Sequence, residues 1–229
     1  MKYKRFKIFQ TYPKSLLMNY KIIIFLLLFN LNFEKNARIL QNNEYKIQLV
    51  IQGNGEQNLL SDFFSDLPQK VLVNGDESRC SNRCNLTEEK NNITLIFYSE
   101  LSICENMFNG LENILEVDLS NIDISCKKMD YMFNNCTNLE KITFGNINNE
   151  IDSIKSIFYG CSKLQSLNLL DFVFSEITEM SKMFYGCSSL KYLNLYSYSV
   201  TSNNYYTNNN PIELTFESIS PNVVYCIND

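Results

Sequence analysis

Met183-Phe184-Tyr185-Gly186-Cys187-Ser188-Ser189-Leu190-Lys191-Tyr192-Leu193-Asn194-Leu195 decides how the rest of the chain is read, because the chain writes it again. Ile157-Phe158-Tyr159-Gly160-Cys161-Ser162-Lys163-Leu164 runs on to Leu167-Asn168-Leu169. Met132-Phe133-Asn134-Asn135-Cys136-Thr137-Asn138-Leu139 runs on to Ile142-Thr143-Phe144, and Met107-Phe108-Asn109-Gly110-Leu111, followed by Val117-Asp118-Leu119, is a weaker copy. The Phe residues at 108, 133, 158 and 184 stand 25, 25 and 26 residues apart. A fixed period of ~20–50 residues marks units that cannot bury their apolar faces alone and stack on their neighbours.

Before each Cys the apolar residues recur in steps of three and four: Cys126, Met129, Met132/Phe133, Cys136, Leu139 in one copy and Ile151, Ile154, Ile157/Phe158, Cys161, Leu164 in the next. That spacing puts one stripe on a helix of roughly three turns. The period then drops to two, as in Leu167-Asn168-Leu169, which predicts a short half-buried strand. The expected fold is an α/β helix–strand solenoid. Its strands would stack Ile93/Leu95, Val117/Leu119, Ile142/Phe144, Leu167/Leu169 and Leu193/Leu195 into one parallel ladder. Thr94, Asp118, Thr143, Asn168 and Asn194 would then form a solvated row suited to a partner, flanked by Glu116, Lys141, Ser166, Tyr192 and Tyr196.

The M-F-x-G-C-S-S-L-x-x-L-N-L pattern resembles the BspA-like leucine-rich repeat family of cell-surface proteins, whose repeats also occur in Mycoplasma-type lipoproteins and in large surface families of protists. The resemblance covers residues 92–200, with Leu111 where Cys is expected and Ile157 where Met is expected. It implies surface exposure and adhesion or host and matrix contact, with no catalytic residues to carry over.

Lys2, Lys4, Arg5, Lys7, Lys14 and Lys21 precede the apolar run 22–29, so residues 1–37 are expected to be a secretory signal, of ordinary proportions if translation starts at Met18. The apolar run is shorter than the ~20 residues of a spanning helix, so no membrane span is expected in the mature chain. Residues 1–37 hold seven Lys/Arg and one Glu, which leaves 13 basic and 24 acidic residues and a net charge of −11. That balance argues against nucleic acid and against a basic lipid-binding patch. Residues 38–91 do not repeat and are expected to cap the open face of the first unit. They carry a strand at 45–51, a Gly53-Asn54-Gly55 turn, a short helix at 59–67 before Pro68, and a strand at 71–73 turned by Asn74-Gly75. No GK[ST] follows the Gly-Asn-Gly stretch, so it reads as a turn and not as a phosphate loop.

Cys136, Cys161 and Cys187 share one core slot, occupied by Leu111 in the first copy, and Cys104 and Cys126 fall in slots held elsewhere by Met or Ile. All five read as small buried hydrophobes, with a stack of disulfides or a redox relay as the competing account. Cys80, Cys84 and Cys226 remain as disulfide candidates, with the pairing open. CxxxC alone is a weak metal signal, the chain has no His, and no metal site or cofactor is expected. Sequons at Asn85 and Asn92 are glycosylation candidates; a third at Asn135 has a core residue, Cys136, at its centre. After Leu195 the repeat decays into a Tyr-, Ser- and Asn-rich stretch, and residues 201–229 read as a closing segment with strands near 212–216 and 223–226.

These features point to a non-catalytic, secreted or surface-displayed recognition or adhesion module whose partner is an extracellular protein or glycan. A laterally assembling coat protein is the first alternative. A carboxylate-based hydrolase is the second, since carboxylates are plentiful but no pattern places a pair about one bond. The usual His-dependent triads are excluded. The chain also reads as a possible piece of a longer surface protein.

Overall fold

Alternation in Tyr45–Gln52 (β1) sends Ile47, Leu49 and Ile51 into the core and leaves Lys46, Gln48 and Val50 on the other face. The computed structural model describes residues 44–147, 151–170, 172, 179–195 and 224–227, the last four and Leu195 by backbone alone. The expected signal at 1–37, Tyr196 and the closing segment apart from 224–227 lie outside the described residues. After β1 come Gly55–Asn58 (β2), Lys70–Val73 (β3), Asp76–Ser78 (β4), Arg83–Leu86 (β5), Lys90–Phe97 (β6) and Ile114–Asn121 (β7). Lys141–Thr143 (β8), Ser166–Asn168 (β9), Tyr192–Leu195 (β10) and Val224–Ile227 (β11) follow.

The helix–strand solenoid expected from the repeat is not what forms. Among the described residues there is no helix, neither in the repeats nor at 59–67; each repeat is a chain of tight turns ending in a short strand. The steps of three come from turns closed between residues i and i+3. Cys136 N–H donates to Phe133 O (3.1 Å) and Leu139 N–H to Cys136 O (3.1 Å), and the same pairs recur at Cys161/Phe158 and Leu164/Cys161. Every third residue points inward, which in sequence looks like one face of a helix. A helix is blocked by backbone handedness. Asn106, Tyr131, Ser156 and Lys182, each two before a repeat Phe, have φ of 60°, 59°, 51° and 56°. Gly110, Asn135, Gly160 and Gly186, each two after it, have φ of 76°, 56°, 72° and 78°. A left-handed residue interrupts the i→i+4 ladder, and it costs a non-Gly residue roughly 1–2 kcal/mol.

The N–H groups that a helix would use internally are used between copies. Tyr131 N–H donates to Lys155 O (2.9 Å), Phe133 N–H to Ile157 O (2.9 Å) and Asn135 N–H to Tyr159 O (2.6 Å). One copy later, Ser156, Phe158 and Gly160 donate to Ser181, Met183 and Tyr185 at 2.7–3.1 Å. The same register stacks the rings of Phe108, Phe133, Phe158 and Phe184, with centroids 5.3, 5.7 and 5.8 Å apart and planes within 17° of parallel. All four rings are fully buried, and stacked contacts at this distance add stabilisation beyond their buried area.

Cysteine fills its slot for a polar reason as well as an apolar one. The thiols of Cys136, Cys161 and Cys187 donate to the carbonyls of Phe108, Phe133 and Phe158 in the preceding copy, at 3.0–3.1 Å. They are free and buried. Burial pushes Cys136 and Cys187 from 9.0 up to about 12, and Cys161 well above 9.0, because a thiolate would be stripped of water there. Cys104 and Cys126, expected as unpaired core residues, are instead disulfide-bonded across 6.0 Å between Cα atoms, joining the first copy to the second. The two slots face each other across the stack, and cysteine in both permits the bond. Cys80 and Cys84 are bonded to each other, Cα–Cα 5.2 Å. The backbone of Cys226 lies in β11, and its side chain lies outside the described residues.

The single parallel ladder is also corrected. The strand order of the larger sheet is β4-β3-β6-β1-β7-β8, so β1 stands between β6 and β7 and is antiparallel to both. That sheet ends at β8, and β9 belongs to a separate three-stranded parallel sheet, β11-β10-β9. β2 and β5 form an antiparallel pair of their own. Alternation gave the inward face of each strand; it does not say which strand lies beside it.

The buried thiols make stability depend on pH. A thiol pKa raised by folding means that the folded chain holds the proton more tightly than the unfolded chain. This contribution is complete below pH 9 and is lost as pH climbs from about 9 towards about 12. The urea midpoint should therefore fall across that window. Replacing Cys136 with Ala should make the fall shallower by on the order of 1 kcal/mol per pH unit. Parallel curves for the two proteins would refute the assignment.

Candidate functional site: the polar face of the six-stranded sheet

Out-pointing residues of β3, β6, β1, β7 and β8 come into register across the larger sheet. Leu72 pairs with Thr94, Thr94 with Gln48, Gln48 with Asp118, and Asp118 with Thr143. A second row runs Asn92, Val50, Glu116, Lys141. Neighbours in a row are about 4.8 Å apart, the strand spacing. Gln48, Asn92 and Lys141 are exposed and Thr94, Asp118, Glu116 and Thr143 are half-buried. Together with Val50 they line a shallow depression of about 300 Å³.

The structure thus groups three of the five residues expected in the solvated row, Thr94, Asp118 and Thr143, and inserts Gln48 between the first two. Asn168 and Asn194 pair with each other in the other sheet, next to Cys226 in register. Tyr192 is 43% exposed there and pairs with Ser166. Gln48 and Val50 were missed as site residues, and Asn92, expected as a glycosylation candidate, was not placed on this face. The alternation of β1 showed that Gln48 points outward, but not that β1 enters the sheet between β6 and β7.

Two members of the expected row also have local work. Asp118 Oδ1 accepts from Ser120 N–H (2.8 Å), and Asn168 Oδ1 accepts from Leu170 N–H (3.2 Å). Both are local bonds to the N–H two residues on, within β7 for Asp118 and at the end of β9 for Asn168. The charged groups are loosely held: Lys90 Nζ lies 4.0 Å from Glu116 Oε1, with both side chains more than 40% exposed. Such a pair contributes at most about 1 kcal/mol and leaves both groups available to a partner. The depression therefore offers hydroxyls, amides, two carboxylates and one ammonium group at regular intervals on a rigid sheet. Among the described residues, no three His, Cys, Asp or Glu are grouped to hold a metal ion. No helix there is long and apolar enough to cross a membrane.

A second ordered surface lies one residue past each repeat Phe. Asn134 Nδ2 donates to Asn109 Oδ1 (2.9 Å), and the rings of Tyr159 and Tyr185 stack 4.9 Å apart at 9°. The sequence carries the signal, Asn-Asn-Tyr-Tyr at one position of four copies, which the spacing of the apolar residues does not single out.

Asp118 and Thr143 compare a member of the row that closes a local turn with one that does not. Asp118→Ala leaves Ser120 N–H without its acceptor and should cost about 1 kcal/mol of unfolding free energy. Thr143→Ala should stay within about 0.5 kcal/mol. Chemical denaturation of both variants checks the difference, and equal losses would mean that the Asp118 turn contributes nothing.

No curated protein and no solved structure matches the chain. A family model matches residues 82–210, from within the Cys80–Cys84 loop to beyond the last repeat and over more than half of the length. The chain belongs to the family described as Mycoplasma protein of unknown function, DUF285.

Proposed function

We propose that this protein is a non-catalytic recognition module, secreted or displayed at the cell surface, that binds an extracellular protein or glycan through the polar face of its larger sheet. The observation that carries the reading is the pair of in-register rows, Thr94-Gln48-Asp118-Thr143 and Asn92-Val50-Glu116-Lys141, on an open and shallow surface. Polar groups on rigid strands are fixed before a partner arrives, which lowers the ordering cost of binding. Two disulfides, Cys80–Cys84 and Cys104–Cys126, favour an oxidising compartment and so support export. The likeness of the M-F-x-G-C-S-S-L segment to BspA-like surface repeats belongs to this proposal and supports display and adhesion.

Export is tested with a C-terminally tagged chain on intact producing cells, treated with protease while the medium is assayed. Surface or medium signal is the expected outcome; a tag protected inside the cell ends the adhesion reading. Once a partner is captured on glycan and matrix-protein arrays, alanine at Gln48, Asp118, Lys141 or Thr143 should each weaken binding by about 1 kcal/mol or less, and all four together should abolish it. Complete loss from one substitution with the fold kept would show an anchor residue in place of distributed contact.

A further inference from the structure

Asn92-Ile93-Thr94 is a sequon laid along β6, and the fold presents it on the candidate recognition face. Asn92 is exposed, Ile93 buried and Thr94 half-buried, so acceptor and hydroxyl project to the same side. Asn92 N–H is held by Asn74 Oδ1 at 2.8 Å, which fixes the strand under the side chain. We propose that Asn92 is an acceptor of N-linked glycan, and that this glycan covers one end of the polar face and regulates access to it. The cover rests on the recognition reading above; occupancy of Asn92 is measured without any partner.

In the transfer, Asn92 Nδ2 forms a bond to C1 of a sugar carried by a lipid-pyrophosphate oligosaccharide. The C1–O bond breaks, the lipid pyrophosphate leaves with the electron pair, and the amide nitrogen gives up one proton. Asn85-Leu86-Thr87 provides a comparison: Asn85 and Thr87 are exposed and Leu86 is buried, but β5 pairs with β2 in a different sheet. The third sequon differs from both. Asn135 is exposed, but it stands in a tight turn with a left-handed φ of 56° and its Oδ1 2.6 Å from where a Cβ on Gly160 would stand, and not along an extended strand.

The full chain is recovered from its producing cells and treated, in heavy-oxygen water, with a glycosidase that converts glycan-bearing Asn to Asp. Mass spectrometry should find heavy oxygen at positions 85 and 92. The native chain is then acylated with N-hydroxysuccinimidyl acetate. Lys90 and Lys141, which share the face with Asn92, should react several-fold more slowly than in Asn92→Gln, while Lys163 reacts equally in both. Asn85→Gln should keep the slow rates. A surface-exposed chain with unmodified Asn92 overturns this proposal and leaves export standing; a chain retained in the cell and unmodified overturns both. Glycan at Asn92 with Lys90 and Lys141 as reactive as in Asn92→Gln overturns the cover.

Discussion

The repeat region depends on backbone hydrogen bonds made between copies. Left-handed residues on either side of each Phe prevent a helix from closing on itself. In the first three copies their N–H groups, and those of the Phe residues, reach carbonyls one copy further along. A buried N–H without a partner costs about 1–3 kcal/mol, so a copy is satisfied only when the next one is in register beside it. The Phe stack and the thiol-to-carbonyl bonds use the same register. The carbonyls of Phe108, Phe133 and Phe158 each accept both from the N–H of the residue three further on and from the Cys thiol of the next copy. This is why Cys suits a slot that would otherwise take any small apolar side chain.

Where the stack begins, a different solution is used. The first copy has Leu111 in the Cys slot, and the covalent Cys104–Cys126 bond joins it to the second. Above it, β1 contributes Ile47, Leu49 and Ile51 to the same buried cluster as Ile93, Leu95, Val117 and Leu119. A strand that is antiparallel to both neighbours satisfies the backbone of β6 and β7 while leaving its own outward side chains on the polar face. The candidate site is a consequence of that insertion. Without β1, Thr94 and Asp118 would be adjacent and Gln48 would have no place between them.

Three free thiols and two disulfides share this fold. Burial raises the pKa of Cys136, Cys161 and Cys187, which disfavours the thiolate that would attack a disulfide. Cys104 and Cys126 are as well buried as those three. They differ in sitting on facing slots of adjacent copies, where a bond closes a 22-residue separation.

The sequence by itself determined the period, the inward side chains and the outward ones. Phe at 108, 133, 158 and 184 and the Cys slot were legible because burial selects residue type at every copy. Gly or Asn at 110, 135, 160 and 186 was legible too, and it carries the left-handed geometry that excludes a helix. The step of three was misread because chained i→i+3 turns and a helix stripe repeat at nearly the same interval. Only the tertiary structure decided that β1 enters between β6 and β7, that the ladder ends at β8, and that Cys104 meets Cys126. Side-chain alternation fixes which face of a strand is buried, whereas neighbours are fixed by competition among all strands for unsatisfied backbone groups, and no local pattern records its outcome.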